Sequence, residues 1–496
     1  MNQSAFAKRI TIIMIAIITA ILYSVSTYFI ITVINKDDSS NNIISQTVNI
    51  SSDSYSTVSS SQYGSLISSS VMSTENGTMS SADSSLNQSD VSSDESSVIV
   101  STSNGSTSSI TSNSSSQTQI PANKSFSSAM WFSFGEDMNF KGLNEQQSKL
   151  KVDKMFDNAV YLGNDAVICQ IRPFADAYYK SSIFPWSVYL TGTQGKDPGY
   201  DPMKYLIEAA HKRGLQFHAW LNPYRISTST NDPNTLSSDH IARKWWNDPT
   251  KKRNVLVWGN GIYFNPTVTE CQQLIISGVA EILENYNVDG IHIDDYFYPT
   301  DDTEFDKEEY LAYQLTASKP LSQADWRRQN VNTLVQGIWR EVHKHNGITF
   351  GISPSYHISS NGTDDNYTKK FADLAKWMNT SGYIDYIAPQ IYFGYTHSSA
   401  DFTKILNNWL SIKRRIDIKI YIGLAAYKIG KLDETYKPTP NTEWQTETDI
   451  LAKQTLEAHS KKCDGVFIFN YSKLFAETNL AKTQLSNLKE VLKSIK

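Results

Sequence analysis

The chain has 496 residues, with 45 Lys and Arg against 50 Asp and Glu, a formal net charge of -5 and three cysteines. No basic block stands ready to neutralise phosphates, which excludes a polyanion-binding surface and leaves no expected nucleic-acid partner. Cys169, Cys271 and Cys463 are too few and too scattered for a disulfide framework or a metal-spacing motif.

Residues 10–35, ITIIMIAIITAILYSVSTYFIITVIN, carry no charge and are long enough to span a bilayer as a helix. Lys8 and Arg9 precede the run, so the positive-inside tendency places the N-terminus in the cytoplasm and the remainder outside. Residues 1–35 are thus expected to be a transmembrane signal anchor, giving a single-pass protein of the cell membrane with an extracytoplasmic C-terminal domain. Secretion after signal cleavage is the alternative. Residues 36–125 follow as a Ser-rich linker, with thirty serines between 51 and 120 and no Lys or Arg between Asp38 and Asn123. Such composition cannot repay its ordering entropy by burial, so the expectation is a disordered tether.

Residues 126–496 alternate between strand and helix patterns. Strand candidates fall at 129–134, 166–172, 215–221, 290–296, 348–354, 383–393, 419–427 and 465–471, with helix-like runs between and after them. Asp201-Pro202 reads as a helix start and Gly214 as its stop. Eight β-then-α units with no leftover strand predict a TIM (β/α)8 barrel, of the α/β class, rather than an open doubly wound sheet. No GxGxxG or Walker loop follows any strand, and no cofactor is expected. The long segments Tyr224–Gly261 and Pro299–Ala324 follow the third and fourth strands, at the barrel face where substrate clefts are built.

The fourth strand, GIHIDDY, ends in two carboxylates. By alternation His292, Asp294 and Tyr296 share one face, and polar groups at a barrel mouth belong inside, which makes Asp294 the first catalytic candidate. Asp295 joins it through a local bulge or caps the next loop. Other strand ends offer Trp131, Gln170 and Arg172, the triplet His218, Trp220 and Asn222, then Tyr224 and Arg225. Asn265, Ser353, Gln390, Tyr392 and Asn470 complete the candidates for substrate binding. Tryptophans in loops, beside amides and carboxylates, suit sugars, which present C–H patches and hydroxyls on one ring.

WFSF, QIRPFADAYY, GLQFHAWLNPYR, VDGIHIDDYFYP, ISPSY, IDYIAPQIYF and GVFIFNY, in that order, resemble the glycoside hydrolase-like family often described as "family 10 glycosylhydrolase". The likeness covers essentially all of 126–496. It implies a TIM barrel from a group of mostly secreted or surface-attached bacterial proteins, one branch of which hydrolyses peptidoglycan glycan strands stripped of their peptides. It places the family's fourth-strand acid at Asp294, beside Asp295, and points to Arg172, Asp176, His218, Asn222, Gln390 and Tyr392 as cleft residues. The first strand departs from the family pattern, with Ser128, Ala129 and Met130 where a basic residue and Gly commonly precede the Trp.

Glycosidic hydrolysis ordinarily needs two carboxyl groups, one protonated and one ionised. Asp294 is one, and Asp295, Asp176 or Glu136 is its partner, with the roles left open. The expected activity is O-glycosyl hydrolysis of cell-wall polysaccharide, with partners in that polysaccharide and, through the N-terminal helix, in the membrane. A non-catalytic carbohydrate-binding barrel and a metal-dependent hydrolase or deacetylase seeded by His292, Asp294, Asp295 and His218 are the alternatives; no metal site is expected, because few histidines are present.

Overall fold

The computed structural model of the chain describes residues 126–435 and 441–496. Eight parallel strands close into a barrel: β1 (Ser127–Phe132), β2 (Ala166–Arg172), β3 (Gln216–Leu221), β4 (Gly290–Ile293), β5 (Thr349–Ile352), β6 (Tyr386–Ile387), β7 (Lys419–Ala425) and β8 (Gly465–Phe469). Each pairs with its neighbours in sequence, and β8 pairs with β1 to complete the ring. The helices that alternate with them are α1 (Glu145–Leu162), α2 (Pro202–Lys212), α3 (Thr269–Asn285), α4 (Gln323–Val342), α5 (Leu374–Asn379), α6 (Phe402–Ser411), α7 (Ile450–Ser460) and α8 (Asn479–Ile495).

Helix ends follow local chemistry. Asn144 and Gln147 form a reciprocal capping box at the start of α1, and Gly163 ends it in the left-handed region at φ 91°. Asp201 accepts from the Lys204 amide ahead of α2, with Pro202 as its first residue.

Alternation along the strands separates two cores. Val167, Cys169 and Ile171 of β2, Phe217, Ala219 and Leu221 of β3, and Ile291 and Ile293 of β4 face the surrounding helices. Ala129, Trp131, Ile168, Trp220, Tyr386, Tyr421 and Phe467 fill the barrel interior. Gly351 makes that filling possible: a Cβ there would sit inside the Tyr386 ring, which lies across the barrel.

The structure differs from the sequence reading in three respects. The strand expected over 383–393 pairs regularly only at Tyr386–Ile387, after which Pro389, with no N–H to give, leaves Gln390 as isolated bridges to Ser355 and Gly423. The segment read as a loop from Tyr224 to Gly261 carries a small antiparallel sheet, in which Gly261–Phe264 pairs with both Arg225–Ser227 and Val255–Trp258. The third is a correction of fold class. The transmembrane helix expected over 10–35 and the Ser-rich linker lie outside the described residues, and among the described residues no helix is long and apolar enough to cross a membrane. Among the described residues the fold is the closed α/β barrel. Attachment to the membrane through an N-terminal helix, and the single-pass placement that depended on it, are withdrawn.

Candidate active site

β4 stops at Ile293 because Asp294 turns the chain: its Oδ1 accepts the amide of Tyr296 at 3.2 Å, an Asx turn that replaces the next ladder bond. Asp294 is 2% exposed. Its other partners come from β3 and the residue after it, with Trp220 Nε1 donating to Oδ2 at 3.1 Å and Asn222 Nδ2 to Oδ1 at 2.9 Å. Burial raises the carboxyl to about 6; the Arg225 charge opposes the rise and Asp295 adds to it. Asp295 lies one residue further out, only partly buried, with a single long side-chain contact from Gln390 Nε2 at 3.4 Å. Its carboxyl is also raised, by burial, against the charge of Lys370. The strand end thus presents one carboxylate locked behind the mouth and another open to it.

Arg225 is held by the small sheet, pairing opposite Tyr263. Its Nε donates to the Pro173 carbonyl at 3.1 Å, and its guanidinium lies 4.9 Å from the Phe174 ring centre and 4.6 Å from that of Tyr296. A cation seated on aromatic rings beside two acids favours their ionised forms without closing an ion pair over the cleft.

Beneath the acids the barrel interior is a hydrogen-bonded stack. Trp131 Nε1 lies 3.2 Å from His292 Nε2, and the Ser353 hydroxyl lies 3.0 Å from the same nitrogen. An indole N–H only donates, so Nε2 of His292 must be the acceptor and Nδ1 must carry the proton. That proton goes to the Tyr386 hydroxyl at 2.9 Å, leaving the phenol to donate to His218 Nδ1 at 3.2 Å. Burial holds both imidazoles neutral, His218 down at about 4 and His292 well below its ordinary value. Gln390 Nε2 donates to the Ser353 carbonyl at 2.9 Å, tying this stack to Asp295. Tyr392 stacks on Phe469 at 5.9 Å, and its hydroxyl is raised well above its ordinary value by burial, then by Tyr427, Asp295, Tyr296 and Asp294.

The structure therefore brings together Trp131, His218, Trp220, Asn222, Arg225, His292, Asp294, Asp295, Tyr296, Ser353, Gln390 and Tyr392. It places the others elsewhere. Between Gln170 and Arg172 the register of β2 shifts, so Arg172 aligns with the outward-facing Leu221. Its guanidinium then stacks 4.5 Å from the Phe184 ring, against Gly278 of α3. Gln170 remains inside and accepts the Phe134 amide at 3.3 Å. Asp176 is buried and accepts from Val188 N at 3.3 Å and Gln194 Nε2 at 3.2 Å, fastening the loop after β2. Asn265 is buried where it accepts the Thr267 amide at 3.1 Å ahead of α3, and Tyr224 belongs to the outer core.

Glu136 meets Asn470 across the β1–β8 seam, accepting Asn470 Nδ2 at 2.8 Å and the Ser472 hydroxyl at 2.7 Å. Burial acts to raise its carboxyl, but these bonds and the charges of Lys473 and Lys431 bring it below the ordinary value. Its neighbour Asp137, not anticipated from sequence, is 1% exposed and raised to about 6 by burial. It accepts the Ser133 amide at 3.0 Å and the Ser472 amide at 3.0 Å, latching the two strand ends together. Tyr386 was equally legible and equally overlooked: it shares a strand face with Gln390 and Tyr392. Among the described residues no three His, Cys, Asp or Glu side chains converge to hold a metal ion.

The family model described as "Glycosyl hydrolase-like 10" matches residues 127–438. Glycosyl hydrolase YngK of Bacillus subtilis (strain 168) is 41% identical over 351 residues, covering 67% of this chain and 65% of that protein. Glycosyl hydrolase DigH of Escherichia coli (strain K12) is 33% identical over 306 residues, covering 58% of this chain and 67% of the relative. The chain thus spans about two thirds of the length of these relatives. Among solved structures, the PgaB (BpsB) glycoside hydrolase domain of Bordetella bronchiseptica is 12% identical with a TM-score of 0.46, covering 73% of this chain and 99% of that one, a likeness too distant to carry an argument. With a closed parallel barrel, two carboxyls at the end of β4 and a family model matched over most of that barrel, the chain belongs to the glycosyl hydrolase-like 10 family.

Proposed function

We propose that the protein hydrolyses O-glycosidic bonds in cell-wall polysaccharide, with the glycan strands of peptidoglycan as its substrate. The observation that carries the reading is the division of labour at the end of β4. Asp294 is fully engaged behind the mouth, and Asp295 is open to it. Burial raises both carboxyls, and two acids side by side disfavour carrying negative charge together, so one of the pair can hold a proton while the other is ionised. Asp295 then donates its proton to the glycosidic oxygen as the C–O bond breaks, and the positive charge growing on the sugar is stabilised by Asp294. Water adds to the sugar carbon and returns a proton to Asp295. Arg225 limits how far either acid rises, and Trp220 and Asn222 fix Asp294 in place. The family resemblance of the sequence motifs supports the wall-glycan substrate, and the exposed aromatic edge at Tyr296 suits a sugar ring.

The test is release of new reducing ends from purified, peptide-free peptidoglycan strands by the full chain. The expected result is steady release that falls roughly 100-fold or more in Asp295→Asn. No release by the unaltered chain from these strands would overturn the substrate, and full turnover by Asp295→Asn would overturn the acid.

A further inference from the structure

Tyr296 stands out from its neighbours in the chain. It is 48% exposed, whereas Phe297 and Tyr298 are 2% and 0% exposed. Its ring carries a cation on each of two approaches, the Arg225 guanidinium carbon at 4.6 Å from the centre and Lys370 Nζ at 6.0 Å. The two cations are not equivalent. Arg225 is 9% exposed and committed to the Pro173 carbonyl and to three aromatic rings. Lys370 is only partly buried, and among the described residues its amine closes no ion pair or hydrogen bond. It reaches Asp295 by charge alone, opposing the rise that burial imposes on that carboxyl.

The backbone holds Lys370 at this position. The one-turn helix Asp365–Thr368 is followed by Lys369, Lys370 and then Phe371, whose φ of 55° is rarely adopted by a bulky side chain. Phe371 is 2% exposed and is clamped from below by Tyr298, with ring centres 4.9 Å apart, and by the Arg327 guanidinium at 4.9 Å. Arg327 is itself fixed by a fully buried ion pair to Asp306 at 2.6 Å. Such a conformation is tolerated only where its surroundings enforce it, and such positions concentrate at functional sites. Here its consequence is an uncommitted ammonium at the rim, beside an exposed aromatic face and next to the carboxyl that faces the mouth.

We infer that Lys370 and Tyr296 form a subsite adjoining Asp295 that takes a sugar ring bearing a carboxylate, the ring lying on Tyr296 and the carboxylate meeting the Lys370 amine. A neutral sugar would leave that amine without a partner; a carboxylated one supplies a charge-assisted hydrogen bond. The inference rests on the glycosidase reading of the same site and adds the charge of the substrate to it.

The experiment compares the full chain with Lys370→Met and Lys370→Arg on two probes. One is peptide-free peptidoglycan strands, whose alternate rings carry lactyl carboxylates; the other is the same strands with those carboxylates capped as methylamides. The unaltered chain should prefer the free carboxylate by roughly ten- to a hundred-fold in kcat/KM, the contribution of one hydrogen bond to a charged group. Lys370→Met should lose that preference, its kcat/KM falling roughly ten- to a hundred-fold further on the free-carboxylate strands than on the capped ones, and Lys370→Arg should retain most of it. Equal rates of the unaltered chain on both probes would overturn the subsite while leaving glycosidase activity standing. Equal loss by Lys370→Met on both probes would also overturn it, since a merely structural or charge-tuning lysine would behave so. Absence of turnover on both probes would instead overturn the wall-glycan reading together with the subsite that rests on it.

Discussion

Asp294→Asn should make the folded state respond to pH in the opposite sense to an ordinary salt-bridged aspartate. The carboxyl stands at about 6 in the fold against 3.8 when free, so between those values the folded chain binds more protons than the unfolded one. Stability associated with this group is therefore fully present below pH 4 and is lost as pH rises through 6. A rise of about two units corresponds to about 3 kcal/mol at 1.36 kcal/mol per unit. Part of the rise is repulsion from Asp295, whose own carboxyl falls when Asp294 is neutralised, so about 2–3 kcal/mol should distinguish the two chains. Against this, an amide at 294 must turn its NH2 toward one of the three donors Trp220, Asn222 and Tyr296, which costs about 1–3 kcal/mol at any pH. Urea unfolding of the full chain and of Asp294→Asn at pH 4 and pH 7.5 gives the comparison. The variant should be the less stable at pH 4 and should close or reverse that gap at pH 7.5. A stability difference that does not move between the two pH values would refute the burial argument for Asp294.

Three further outcomes follow from the same packing. Arg327→Ala should cost about 3–5 kcal/mol in chemical denaturation, because it leaves Asp306 charged and unpaired at 0% exposure; a loss below 1 kcal/mol would contradict the buried pair. Gly351→Ala drives a methyl into the Tyr386 ring and should destabilise by about 1–3 kcal/mol or more, with Tyr386→Ala at the second site restoring part of the room but not the hydrogen bonds to His218 and His292. Because Asp295 must be protonated to act, kcat/KM should fall as pH rises through its raised value, and Asp294→Asn, by removing the neighbouring negative charge, should move the residual activity's alkaline limb to lower pH; an unmoved limb would show that the two acids do not interact.

Much of the barrel was legible because its strands are short and their alternation is strict. His218, Trp220 and Asn222, and likewise His292 and Asp294, fall on the inner face as the period of two requires. Arg172 shows where that rule breaks: one bulged residue in β2 reverses the face of everything after it, and no local residue type announces the bulge. Asp294 itself carried a second message, since an Asp two residues before an unpaired amide ends a strand by bonding to it, and that is what separates the environments of Asp294 and Asp295. Lys370 was out of reach. It lies in an irregular segment with no periodicity, and its place at the mouth depends on Phe371 packing against Tyr298 and Arg327, contacts between residues some 40 to 70 positions apart. The antiparallel sheet over 225–264 was hidden by its short strands, whose polar and aromatic residues read as loop.

The central claim is that Asp295 supplies the proton to the departing sugar. It is tested most directly by comparing Asp295→Asn on peptide-free glycan strands and on a 2,4-dinitrophenyl glycoside of the same repeating unit, whose leaving group needs no proton. Asp295→Asn should be slowed roughly 100-fold or more on the strands and far less on the dinitrophenyl glycoside. Equal loss on both substrates would contradict the assignment.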